Sequence, residues 1–299
     1  MDASPGVTAT ALITGAAGQL GRELRATAPP GLRIVALDRS GLDIADPEAV
    51  RRVFAEQRPD VVLNAAAYTA VDRAEEEEAL ALAINADGPG HLAAACASTG
   101  TALIHVSTDF VFAGDSGHPY LPDSPTGPLG AYGRSKLAGE RSVQRAHPRA
   151  LIVRTGWVYS CFGGNFVKTM LRLMRERDTL SVVCDQVGTP TWARGLAEAL
   201  WAAVEQPLLQ GVYHWSDAGV CSWYDFAVAI AEEAQALGLL QQLPEVRPIP
   251  ASDYPTPAQR PACSVLDKQS SWAALQRVPP HWRVQLRAML QALKETPDA

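Results

Sequence analysis

The sequence predicts an α/β protein: a doubly wound parallel sheet followed by a smaller C-terminal lobe. Three observations carry this reading. Short apolar runs alternate with stretches whose apolar residues recur at helical spacing; a glycine loop joins the first run to the first helical stretch; and past residue 153 the alternation loosens while proline accumulates.

Residues 9–13, Arg33–Leu37, Val61–Asn64 and 102–106 read as strands, with helical patterns over 22–28, Pro47–Gln57 and 80–97 between them. Strand then helix, repeated, buries a parallel sheet under helices on both faces. Asp46 before Pro47, with Glu48 next, marks a helix start: proline's fixed φ and missing N–H suit the first helical position, and the acids suit the dipole. The four glutamates at 75–78 open a helical pattern and read as a solvated first turn. After a strand at 151–153, helices are expected at 166–175, 194–204 and 224–236, and strands at 180–183 and 212–215, some rejoining the first sheet. Pro244, Pro248, Pro250, Pro255, Pro257 and Pro261 rule out a long helix between them.

Composition removes several function classes. The 299 residues are 47% hydrophobic, enough for one large domain or two lobes. A net charge of −6 without clustered Lys or Arg gives no footprint for nucleic acid or an anionic membrane. Cys96, Cys161, Cys184, Cys221 and Cys263 are odd in number and form no C-x-x-C pair, so a reduced, cytoplasmic compartment is expected. Residues 1–6 lack the basic segment of a signal peptide. The alanine-rich run 79–97 is broken by Asn85, Asp87, Gly88, Pro89 and His91, so no membrane span is expected. The histidines show no metal-ligand spacing and no G-x-S-x-G elbow is present, which removes the commonest metallohydrolase and serine hydrolase readings.

The remaining motifs point to a dinucleotide and a carbonyl. The segment from Ile13 to Gly21 reads G-x-x-G-x-x-G between strand and helix. Gly15 and Gly18 let the backbone approach a pyrophosphate, Gly21 lets helix and strand pack closely, and the helix N-terminus offers N–H groups. Asp38, at the end of the next strand, suits ribose hydroxyls; Arg39 beside it suits a 2′-phosphate, which leaves both NADH and NADPH open, and Asp43-Ile44 flank the adenine. Tyr132 and Lys136, at i and i+4, lie on one helix face, where an ammonium would favour the phenolate. Thr108, just past a strand's carboxyl end, is placed to donate to a substrate oxygen.

These residues resemble the extended short-chain dehydrogenase/reductases and, within them, the dTDP-4-dehydrorhamnose reductase family. The resemblance covers nearly the whole chain: the glycine loop with Gln19 and Leu20, the run 64–72, Ser107-Thr108-Asp109, 132–140, 154–159, 164–166, Asp185-Gln186 with Thr189-Pro190-Thr191, and 254–257 with Arg260-Pro261. It implies a Rossmann-type dinucleotide-binding domain over 1–158 and, over 159–299, mostly a sugar-nucleotide-binding lobe, with some elements returning to the Rossmann sheet. It further implies Gly18, Gln19 and Leu20 at the pyrophosphate, and Asp38, Asp43 and Ile44 around the adenosine. Ala67, Tyr68 and Thr69 would lie under the cofactor with Val106 close by; Thr108, Asp109 and Trp157 would hold the sugar nucleotide.

The implied reaction is hydride transfer from NADPH or NADH to the C4 carbonyl of a dTDP-4-keto-6-deoxy-L-hexose. Tyr132 would supply the proton, Thr108 a hydrogen bond, and Lys136 the grip on the nicotinamide ribose. Phe110 and Gly156 stand where family members usually have Tyr and often Ser. The family's magnesium ion sits at a dimer interface. Glu23 matches one ligand, but Arg194 occupies the place of another, and its charge argues against a metal-bridged homodimer over a monomer. Two alternatives stay open: a related nucleotide-deoxysugar reductase, such as one of the dihydrostreptose type, and a non-catalytic nucleotide-binding regulatory subunit.

Overall fold

A computed structural model describes residues 9–295. Residues 1–6, examined above for leader character, lie outside them. The first half of the chain runs β1 (Thr10–Thr14), α1 (Gln19–Ala26), β2 (Arg33–Leu37), α2 (Pro47–Gln57), β3 (Val61–Asn64), α3 (Glu78–Leu82), α4 (Gly88–Thr99), β4 (Ala102–Thr108), α5 (Ala131–Ala146) and β5 (Leu151–Thr155). There follow β6 (Val158–Tyr159), α6 (Phe166–Glu176), β7 (Thr179–Val183), β8 (Val187–Gly188), β9 (Thr191–Trp192), α7 (Ala193–Val204), β10 (Gly211–His214), β11 (Cys221–Ser222), α8 (Trp223–Ala236), β12 (Glu245–Ile249), α9 (Gln269–Leu275) and α10 (Trp282–Glu295).

Six strands form one parallel sheet in the order β10-β5-β4-β3-β1-β2. Neighbouring strand residues point to opposite faces, so Leu12 and Ile13 serve different cores. On one side Leu20 and Leu24 of α1 and Leu196, Leu200 and Trp201 of α7 cover Ile13, Leu63, Ile104 and Val153. On the other, Val50, Val53 and Phe54 of α2, Leu92 and Cys96 of α4 and Val143 of α5 cover Leu12, Val62, Leu103 and Ile152. The doubly wound sheet is thus the one the alternation predicts. The chain leaves β1 toward β2 on one side and reaches β3 on the other, and such a reversal opens a crevice at the strands' carboxyl ends.

Asp46 caps α2 by accepting from the Glu48 N–H at 2.9 Å, with Pro47 at the first position, as the sequence indicates. The expected helix 80–97 is instead three pieces: between α3 and α4 the residues Ala83–Asp87 form a π turn. Pro89 explains the break, since its ring has no N–H to donate and displaces the carbonyl four residues back. The strand expected at 102–106 continues to Thr108, which places that residue at the carboxyl end of a central strand.

In the second half β10 joins the first sheet beside β5 and α7 packs on it, whereas α6, α8 and α10 close a separate core around Val167, Met170, Phe226, Ile230, Leu286 and Met289. α8 starts at a capping box in which Ser222 and Asp225 satisfy each other's N–H groups. The proline-rich stretch holds β12 and a short turn, Ala251–Asp253. Among the described residues, no helix is long and apolar enough to cross a membrane.

Candidate active site

The glycine loop forms a backbone cradle. Gly15 has φ 67°, and a Cβ there would fall 2.6 Å from the Ala66 nitrogen; at Gly21 it would fall 2.3 Å from the Gly15 carbonyl oxygen. The first glycine is therefore required by its own conformation and by the loop after β3; the last is required by the close approach of α1 to the backbone of the glycine loop at Gly15 and Ala16, rather than by contact with the strand itself. Gly18 caps α1 without a side chain, which leaves the helix N-terminus open to an anion. Beside it lies a cleft of about 610 Å³ bordered by Ala16, Ala17, Arg22, Arg25, Asp38 and Ser40. Missing Cβ atoms, uncapped N–H groups and guanidinium groups together suit a dinucleotide phosphate.

The predicted cofactor residues do not all face this cleft alike. Asp38 Oδ1 accepts from the Ser40 N–H (2.9 Å), the Ser40 hydroxyl (2.6 Å) and the Gly41 N–H (3.2 Å), which holds its carboxyl below the usual range. Arg39 lies at the surface, 3.5 Å from Asp43 Oδ2. Leu20 and Ile44 are buried, and Ile44 packs where a Gly88 side chain would be. Gln19 Oε1 accepts from Asn165 Nδ2 at 3.0 Å, and Asn165 caps α6, so the cradle is tied to the second core.

The ends of β1, β3 and β4 are joined through Asn64, whose Oδ1 accepts from Thr14 Oγ1 (2.7 Å) and the Ala66 N–H (3.1 Å) while Nδ2 meets His105 Nδ1 (2.9 Å). Ala67 and Tyr68 follow, partly buried, with Thr69 exposed. Asn85, carried inward by the π turn, accepts from the Tyr68 N–H (2.8 Å) and donates to the Tyr68 carbonyl and Ser135 Oγ, both at 3.0 Å. Asn85 thereby pins the predicted cofactor loop to α5, a role its motif neighbourhood did not disclose.

The glutamates at 75–78 differ from the solvated turn expected of them. Glu75 Oε1 accepts from the Ala131 N–H at 2.8 Å, at the N-terminus of α5; Glu77 accepts from the Tyr68 hydroxyl; Glu78 pairs with Arg134. A carboxylate is favoured at the positive end of a helix, and here that helix belongs to a segment more than fifty residues away, which local pattern cannot show.

Thr108, Asp109, Tyr132 and Lys136 come together where β4 meets α5. Lys136 is 2% exposed and its Nζ donates to the Val106 carbonyl at 2.8 Å. Burial pulls the amine down to about 8. Tyr132 rests edge-on against Phe110 (5.6 Å, 73°), and apolar surroundings, with Asp109 also opposing ionisation, push its hydroxyl up to about 12 although its ring is partly exposed. The expectation that Lys136 makes Tyr132 acidic is therefore corrected: i,i+4 spacing gives both a common helix face, but tertiary contact directs the amine to Val106.

Asp109 is buried, accepts from Thr108 Oγ1 at 3.1 Å, and is raised by burial to about 6 against opposing hydrogen bonds from Ser264 and Thr108. Thr108 also accepts from the Phe110 N–H at 3.2 Å. A Cβ at Gly156 would lie 2.5 Å from Asp109 Oδ2, so glycine at this position makes room for the acid. Trp157 follows directly, with φ 51°, a left-handed conformation costing a bulky residue about 1–3 kcal/mol. At the place the resemblance gives magnesium, Glu23 is buried, accepts from Ser160 Oγ at 2.6 Å, and is influenced by the Arg194 charge. A hydroxyl and a guanidinium do not suit a divalent cation, and no step is assigned to one.

Sheet, glycine cradle and the Thr108/Tyr132/Lys136 cluster, with Thr108 and Lys136 buried and Tyr132 partly exposed, define an NAD(P)H-dependent oxidoreductase of the short-chain dehydrogenase/reductase type. The chain belongs to the family described as RmlD substrate binding domain, whose model matches residues 9–295. It is 46% identical over 289 residues to the dTDP-4-dehydrorhamnose reductase of Streptomyces griseus, covering 94% of this chain and 93% of that one. It is 40% identical over 293 residues to the Salmonella typhimurium enzyme of the same name (95% and 98% covered). Among solved structures, the Bacillus anthracis dTDP-4-dehydrorhamnose reductase in complex with NADP matches with TM-score 0.91 at 36% identity, over 96% of this chain and all of that one.

Proposed function

We propose that the chain reduces the C4 keto group of dTDP-4-dehydro-L-rhamnose to give dTDP-L-rhamnose, with NADPH or NADH as reductant. The observation that carries this reading is the Thr108–Asp109–Tyr132–Lys136 cluster at the carboxyl end of β4, beside a turn shaped for a dinucleotide. The nicotinamide, when bound, supplies the hydride. Tyr132, held as a phenol by its raised pKa, keeps its proton until negative charge builds on the ketone oxygen and then donates it. Thr108 supports the same oxygen, and Lys136, already aimed at β4, takes the nicotinamide ribose. Asp109 and Trp157 hold the sugar nucleotide.

The test is purified chain with dTDP-4-dehydro-L-rhamnose, following NADPH oxidation and product. Turnover of another nucleotide-deoxysugar in preference would move the substrate within the class, and no NADPH oxidation with any would favour the regulatory-subunit reading. We place the protein in the cytoplasm, in keeping with its free cysteines, and as a monomer or homodimer that does not depend on a metal bridge.

Acid pH should help the reaction. Above about 6 the ionised Asp109 draws the only Thr108 proton to itself, whereas protonated Asp109 releases it for the substrate. Thus kcat/KM for the sugar nucleotide is expected to rise as pH falls through about 6, and Asp109→Asn to remove that inflection. The same raised carboxyl favours the folded state below the ordinary carboxylate range and loses this contribution as pH rises through about 6, so denaturation of the variant should be less pH-dependent there.

A further inference from the structure

We propose that Trp223 and Gly188 form a slot that sets Trp157 as the aromatic wall of the sugar-nucleotide site, making both positioning residues for the reduction. The inference rests on the reading of Trp157 given above and extends it to two residues outside that site.

Trp157 is held from several sides in a conformation it would not choose alone. Its carbonyl accepts from the Thr191 N–H at 3.1 Å, and the preceding Gly156 carbonyl accepts from Thr191 Oγ1 at 2.7 Å, which fixes the left-handed turn. Its indole then lies parallel to that of Trp223, centroids 3.5 Å apart and planes at 3°. Trp223, first residue of α8, is itself braced by Phe166 at 4.6 Å. Gly188, last residue of β8, contacts the same indole: a Cβ there would fall 2.7 Å from both Cε2 and Nε1 of Trp157. Gly188 does not have a positive φ, so the ring, rather than its own backbone, requires glycine at this position.

The chemistry of the ligand explains the use of such a slot. A 6-deoxyhexose has hydroxyls on part of its ring and a methyl and C–H groups elsewhere. Thr108 and Asp109 meet the polar part, and a fixed indole takes the apolar part out of water. The wall follows immediately after Gly156, which touches Asp109, so tilting the indole moves the sugar relative to the reacting cluster.

The test compares Gly188→Ala, Trp223→Leu, Trp223→Phe and Trp157→Phe by steady-state kinetics and circular dichroism, where stacked indoles give a paired exciton signal. Gly188→Ala and Trp223→Leu are expected to raise KM for the dTDP-sugar about tenfold, with a smaller fall in kcat and no change in KM for NADPH. Trp223→Leu should lose the exciton pair, and Trp223→Phe should restore most of the KM. Unchanged sugar KM in folded Gly188→Ala and Trp223→Leu, with a raised KM in Trp157→Phe, overturns the slot while sparing the site. Unchanged KM in Trp157→Phe overturns the reading of Trp157 and the slot with it.

Discussion

Tyr132→Phe is expected to lower kcat by about 100-fold or more while leaving the Kd for NADPH nearly unchanged. The substitution deletes one oxygen and preserves the ring that packs edge-on against Phe110 and beside Ala74, Ala81 and Ala131, so fold and cradle should survive. What is lost is a proton at the place where the alkoxide forms. The hydroxyl's pKa of about 12 matters to the sign: at neutral pH the group is already protonated, so the profile should show no requirement for tyrosinate. Single-turnover reduction with titrated NADPH separates chemistry from binding. Near-normal turnover would remove Tyr132 from the mechanism.

Arg154→Met should cost about 3–5 kcal/mol of folding stability, because it strands a buried carboxylate. Arg154 and Glu140 have side chains only 5% and 3% exposed, joined through Nε–Oε1 at 2.8 Å and a second bond at 2.7 Å. Glu140 Oε1 also accepts from Ser107 Oγ at 2.5 Å, and the guanidinium donates to the Pro122 carbonyl at 3.0 Å while lying over Phe112. This network fastens α5 to β4 and β5 one turn beyond Lys136, so the loss should reach activity through misplacement of α5. The paired variant Arg154→Met/Glu140→Leu, which leaves no lone charge, should recover much of the stability in urea denaturation. If the single variant unfolded at the wild-type midpoint, the pair would not be holding the sheet to α5.

Much of the fold was readable because it rests on short-range signals. Alternation marked β1 to β5, Asp46-Pro47 marked α2, and glycine spacing marked the turn before α1. The sequence also put Thr108 at a strand end and Tyr132 and Lys136 on one helix, and the structure has them at the end of β4 and on α5. The glutamates at 75–78, Asn85, Ser264 and Trp223 were not, because each matters through a segment distant in sequence: α5, the loop after β3, Asp109 and Trp157. α9 and α10, beyond Pro261, had no counterpart in the sequence reading.

By itself the sequence determined the doubly wound sheet, the glycine turn before α1 and which residue types stand at the end of β4 and on α5, since hydrophobic period, proline and glycine act within a few residues. Only the tertiary structure decided that Lys136 points to Val106, that burial pushes the Tyr132 hydroxyl up, that Glu75 caps α5 and that Trp157 stacks on Trp223 and meets Gly188. Direction, burial and protonation depend on which remote atoms supply the partner, and that choice exists only once the chain has packed.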